Sequence, residues 1–257
     1  MRERRYRAHI AMELAPLLIA LTALIVFAAF VVRGMSGFGT SLIAMPLLVF
    51  VMPIHAAVPM MGLLVFVLFC FLVVRDRRDV IWREVWLLLA PTLIGVAAGI
   101  FLFRSLDNSL LLKCLGVVTI GYAIYALAVH YTGLPGIRCS ERWAAVAGFS
   151  GSFIDTMFGG GGGTIIVIYM HLRGIGKVEF RATAAMLWFF EMAARVFGYT
   201  VAGYYTAGTL LLVALMLPVT WIATWCGERI HRRFSQETFS KVLAVLLIAS
   251  GMALLLK

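Results

Sequence analysis

The sequence predicts an all-α polytopic membrane protein built from two inverted repeats, and three observations carry that prediction. First, 63% of the 257 residues are hydrophobic and only 13% are charged, against about 25% in an average soluble domain. With a mean hydropathy of +1.00 there are too few polar residues to clothe a water-soluble globule. That composition also excludes a disordered chain and a disulfide-rich secreted scaffold. Second, apolar runs of roughly 20 residues recur, the length that crosses a hydrocarbon core. Third, a glycine-rich break interrupts the first unit of each half.

Read in order, a basic N-terminal tail (1–13) leads into the first membrane repeat (14–132). Leu14–Val32 is too long for a signal-peptide core and no small-residue cleavage site follows, so it is expected to stay in the membrane. The break Gly34–Ser41 comes next, then a short run at Leu42–Met52. Plain spans follow at Ala56–Val74, Val85–Phe103 and Leu110–Val129. An inter-repeat loop (133–142) carries Gly133, Pro135 and Gly136. The pattern then restarts in a second repeat (143–257): Trp143–Phe158, the break Gly159–Thr164, a short run at Ile165–His171, and spans at Ala182–Val201, Thr209–Trp225 and Val242–Leu256.

The broken units demand a turn. As one straight helix, Leu14–Met52 would measure roughly 58 Å, against the ~30 Å of the bilayer core. Non-helical backbone at that depth survives only where protein buries it or where it lines a polar cavity. If each broken unit is re-entrant, each half crosses three times and the halves are inverted. The Lys- and Arg-rich loops then share the cytoplasmic side, as the positive-inside rule requires. The Arg-rich N-terminus conflicts with strict symmetry.

The formal net charge of +10 is explained by these loops beside anionic headgroups, so no nucleic-acid partner is expected. Cys70, Cys114, Cys139 and Cys226 form no CxxC pair, and no metal site is expected.

The glycine breaks carry the functional expectation. Each opens a short helix whose N-terminus presents unpaired N–H groups and a partial positive charge. Ser36, Gly37, Phe38, Gly39, Thr40 and Ser41 in the first half, and Gly160, Gly161, Gly162, Gly163 and Thr164 in the second, are the candidate anion ligands. Two such termini meeting at the midplane would hold a small anion, as in transporters with broken helices. Close helix packing through small residues is the alternative use of the same glycines.

These stretches, GMSGFGTSLIAMPLL (34–48) and SGSFIDTMFGGGGGTIIVIYM (150–170), resemble the TauE/SafE sulfite exporter family, and the likeness spans residues 12–256. The resemblance implies a multi-pass inner-membrane transporter of small sulfur anions, such as sulfite or an organosulfonate, with no bound cofactor. Two departures bear on substrate shape. Phe38 interrupts the first glycine run, and Met170 stands where a proline is expected, although Pro46 is kept in the first half.

Intramembrane charges are expensive and mark function. Glu191 and Arg195 lie four apart on one face of Ala182–Val201, so Arg195 is a candidate anion partner with Glu191 as its resting counter-charge. Asp155, four residues before the second glycine run, and Glu191 are candidates for coupling transport to the proton gradient. Arg33 and Trp188 are candidate cavity-lining residues. A secondary transporter would rock one half against the other. An anion channel is the alternative. A third reading is an intramembrane serine protease, because Gly34–Gly37 and Gly148–Gly151 both match GxSG, but no histidine lies mid-span to activate Ser36 or Ser150. An enzyme is therefore not expected.

Overall fold

In a computed structural model the chain is described over residues 2–36, 39–132, 138–230 and 247–256. It is an all-helical membrane protein. The apolar runs become helices in the order expected. The first half holds α1 (Arg2–Ser36), α2 (Thr40–Val51), α3 (Ile54–Asp76), α4 (Trp82–Ser105) and α5 (Asn108–Thr132). The second holds α6 (Trp143–Phe158), α7 (Gly163–Leu172), α8 (Lys177–Val201), α9 (Ala207–Ile230) and a last helix, α10, at residues 247–255. The helix α1 extends back through the basic stretch 2–13. Gly37, Phe38, the glycines of the inter-repeat loop and the start of the run at Val242 lie outside the described residues.

Five helices among the described residues are long and apolar enough to cross a membrane: Pro16–Gly34, Ile54–Val74, Trp82–Ser105, Asn108–Val129 and Ala207–Arg229. The helix α8 matches them in length, but Glu191 and Arg195 interrupt its apolar run. Large apolar side chains such as Phe101, Phe197, Val117 and Trp221 stay exposed on the outer surface, which suits contact with lipid tails.

The packing runs across the halves. The most extensive helix contacts are α4 with α6, α1 with α9, α3 with α8 and α4 with α8. Exchanging α1 for α6, α3 for α8 and α4 for α9 turns the first two contacts into each other and leaves the third unchanged. Glycines permit both close approaches. A Cβ on Gly34 of α1 would stand 2.8 Å from the Gly227 Cα of α9, and one on Gly148 of α6 would stand 2.9 Å from the Leu88 carbonyl of α4. Both GxSG matches begin at these contact glycines. The Ser150 hydroxyl donates to its own helix at the Val146 carbonyl, 2.6 Å away.

The main core gathers side chains from both halves. Phe30 of α1, Met45 and Leu48 of α2, and Met60, Met61 and Leu64 of α3 meet Phe158, Met192 and Tyr199. Ile166, Tyr169 and Met170 of α7 pack in a second cluster with Leu88 and Leu187, so both short helices are anchored by buried faces and their N-terminal ends can shape the interior.

Candidate functional site

The breaks meet. A Cβ on Gly160 would stand 2.6 Å from the Ser41 Cβ and 2.9 Å from the Leu42 backbone nitrogen, so the second break lies directly against the opening turn of α2. Both breaks rely on backbone that side-chain-bearing residues rarely adopt: Gly39 has φ +89° and Gly161 φ +104°. At Gly39 this conformation turns the chain from α1 into α2, and no side chain caps the new helix. The N–H groups of the first turn of α2 therefore have no intrahelical partner.

Between the breaks lies a cavity of ≈ 80 Å³. That is room for a few waters or one small oxyanion, well below the roughly 300 Å³ at which drug-sized ligand pockets begin. The first break contributes Gly39, Thr40 and Ser41 to its wall, and the second contributes Gly160, Gly161, Gly163 and Thr164. Asp155, Arg33, Trp188 and Arg195, all singled out in the sequence, also face it.

Two expected residues sit differently. Gly162 does not line the cavity. It abuts α6, where a Cβ would collide with the Gly151 carbonyl, so the packing use of glycine governs this position. Its N–H is also taken, donating to Asp155 Oδ1 at 2.8 Å. Glu191 is fully buried behind the wall and does not line the cavity. Gly37 and Phe38 lie outside the described residues, and so does the side chain of Ser36.

Asp155 is 6% exposed and reaches across its own break from the last turn of α6 to the N-terminus of α7. An acidic group there suits the partial positive charge of the helix end. On α8, Glu191, Arg195 and Tyr199 follow at four-residue intervals and are almost completely buried. Arg195 Nη1 lies 3.8 Å from Glu191 Oε1, a long contact for a buried pair. Among the described residues, both Glu191 oxygens, and Arg195 Nε and Nη2, meet no hydrogen-bond partner at good geometry, although the Tyr199 hydroxyl lies near Arg195. Such groups are normally satisfied by protein, water or ligand. The Tyr199 hydroxyl donates to the Thr156 carbonyl at 2.6 Å and so ties α8 to α6.

Sequence reasoning missed part of the wall. Phe69 and Val65 of α3 and Met192 of α8 line the cavity. Phe69 tilts against Trp188 at 5.8 Å between ring centroids. The four-residue spacing of Trp188 and Met192 gave a signal for the α8 side. The uniformly apolar α3 gave none.

Comparison with known proteins decides the lineage. The sequence model of the family described as Sulfite exporter TauE/SafE matches residues 21–254. The chain belongs to the TauE/SafE sulfite exporter family. It is accordingly a multi-pass inner-membrane transporter and not an enzyme. A curated relative, described as "Probable inner membrane transporter protein TsaS" from Comamonas testosteroni, is 28% identical over 182 residues. That alignment covers 69% of this chain and 73% of the relative. No solved structure matches. The TauE/SafE match spans both glycine breaks and every helix that borders the cavity except residues 2–20 of α1.

Proposed function

We propose that this transporter exports small sulfur-containing anions, sulfite or an organosulfonate such as sulfoacetate, and draws on the proton gradient to do so. The anion is held between the half-helices α2 and α7, with the open amides of α2 and the guanidinium of Arg195 as its principal partners. One observation carries the reading: breaks from both halves close around one small cavity whose wall includes a buried arginine with unpaired donors. Membership of a family of sulfite exporters supplies the sulfur chemistry. The exchange pattern of helix contacts supports two related halves, which we read as inverted in the membrane.

Asp155 and Glu191 are the proton acceptors in this reading. Asp155 touches the N-terminus of α7 directly, so its protonation state alters the charge facing the anion. Glu191 does the same through Arg195.

The test is transport by purified protein in liposomes. Sulfite, sulfoacetate and sulfate fluxes are compared with and without an imposed pH gradient. Sulfite or sulfoacetate flux that follows the pH gradient is expected. Flux of none of the three would remove the substrate assignment, and anion current indifferent to pH would favour a channel.

A further inference from the structure

Two buried arginines border the cavity, and they come from different halves. Arg33 ends α1 with 6% of its surface exposed, and Arg195 lies within α8 with 1% exposed. Neither charge is well matched. The carboxylate paired with Arg195 is the distant one of Glu191, and two of its three nitrogens lack a well-aligned partner among the described residues. Arg33 forms no ion pair with any described carboxylate. Its guanidinium instead lies over the face of Phe69, 4.6 Å from the ring centroid. Phe69 is itself part of the cavity wall, so this contact holds the Arg33 head beside the open space.

The carboxylate on that wall is Asp155, and its Oδ1 is engaged by the Gly162 N–H. Glu191 does not line the cavity and meets it only through Arg195. The wall itself carries two cationic groups against one anionic, with Glu191 as the fourth buried charge of the group, so an anion that draws Arg195 away from Glu191, or that enters when an acid is protonated, finds a guanidinium to pair with. Guanidinium forks match the spread oxygens of an oxyanion in paired hydrogen bonds, which a spherical halide cannot offer.

We infer that Arg33 and Arg195 clamp one oxyanion between them, one arginine from each half, and that Arg33 sets the preference for oxyanions over halide. This rests on the anion-site reading above and names the residue that gives it selectivity. The oxyanion group fills the space between the two arginines.

The experiment is titration calorimetry of the full chain in detergent at fixed ionic strength, with sulfite, methanesulfonate and chloride as probes. Arg33→Gln is expected to weaken sulfite and methanesulfonate by at least about tenfold while changing chloride little. Arg33→Lys keeps the charge but loses the fork, and is expected to lower the sulfite-to-chloride preference. That variant carries the test if Arg33→Gln does not fold. Sulfite binding by Arg33→Gln within twofold of the wild type, with binding lost in Arg195→Gln, would overturn the clamp and leave the site. An unchanged preference in Arg33→Lys would likewise overturn it. Wild-type binding in all three variants would remove the anion site itself.

Discussion

The Asp155 carboxylate accepts the Gly162 N–H at 2.8 Å, so the second broken helix carries an internal anion at the end where a transported anion would approach. In the proposed reading, substrate and side chain compete for, or share, the positive end of α7.

Asp155→Asn should separate transport from the pH gradient. The amide oxygen still accepts the Gly162 N–H, so α7 keeps its position while the titratable charge is gone. The expected result is sulfite flux in liposomes that no longer rises when a pH gradient is imposed. A preserved pH response would make Asp155 structural.

Glycine substitutions divide packing from binding. Gly162→Ala drives a Cβ into the Gly151 carbonyl, so it should lower thermal stability in detergent, with an overpacking cost of about 1–3 kcal/mol. Gly160→Ala pushes against Ser41 and the start of α2 and should separate the two breaks. Its expected signature is loss of sulfite binding larger than its loss of melting temperature. The opposite ranking of the two variants would sink this distinction.

Removing the Glu191 charge should strengthen anion capture. Glu191→Gln frees Arg195 of its counter-charge at 3.8 Å, which leaves the guanidinium to the substrate. In liposome assays KM for sulfite should fall and kcat should fall with it, because release slows. A raised KM would show that Glu191 orients Arg195 rather than restrains it.

On the side bearing the basic loops, Glu84 of α4 gathers three donors. It accepts the Tyr169 hydroxyl at 2.8 Å and Arg173 Nε and Nη2 at 3.0 and 2.9 Å. Arg173 also reaches Glu141, 3.1 Å away. The group pins the end of α7 to α4 and to the approach of α6. Glu84→Ala should destabilise the fold by about 3 kcal/mol, the lower range for breaking a buried pair. Thermal unfolding in detergent measures this, and a shift close to zero would count against the role.

The helices were legible because a bilayer imposes a length and an apolar composition on every span, and Leu110–Val129 or Thr209–Trp225 could hardly be anything else. The breaks were legible because glycine runs are costly inside helices. The division of labour among those glycines was not. Gly161 and Gly162 look alike in sequence, yet one lines a cavity and the other seals a contact with Gly151. Phe69 was hidden because α3 is apolar on every side, so its pattern does not say which face meets Arg33. The link from Glu84 to Arg173 spans 89 positions, and nothing local announces it.

The interfaces of α1 with α9 and α4 with α6 have a consequence for motion. Each joins a helix of one half to a helix of the other through backbone held close by glycine. The halves of the gene are therefore interlocked like folded hands, and tilting one whole half against the other would tear both seams. Against the expectation that one half rocks on the other, these seams predict mixed moving bodies, each assembled from helices of either half, so that the line of flexing would not follow the boundary between the halves.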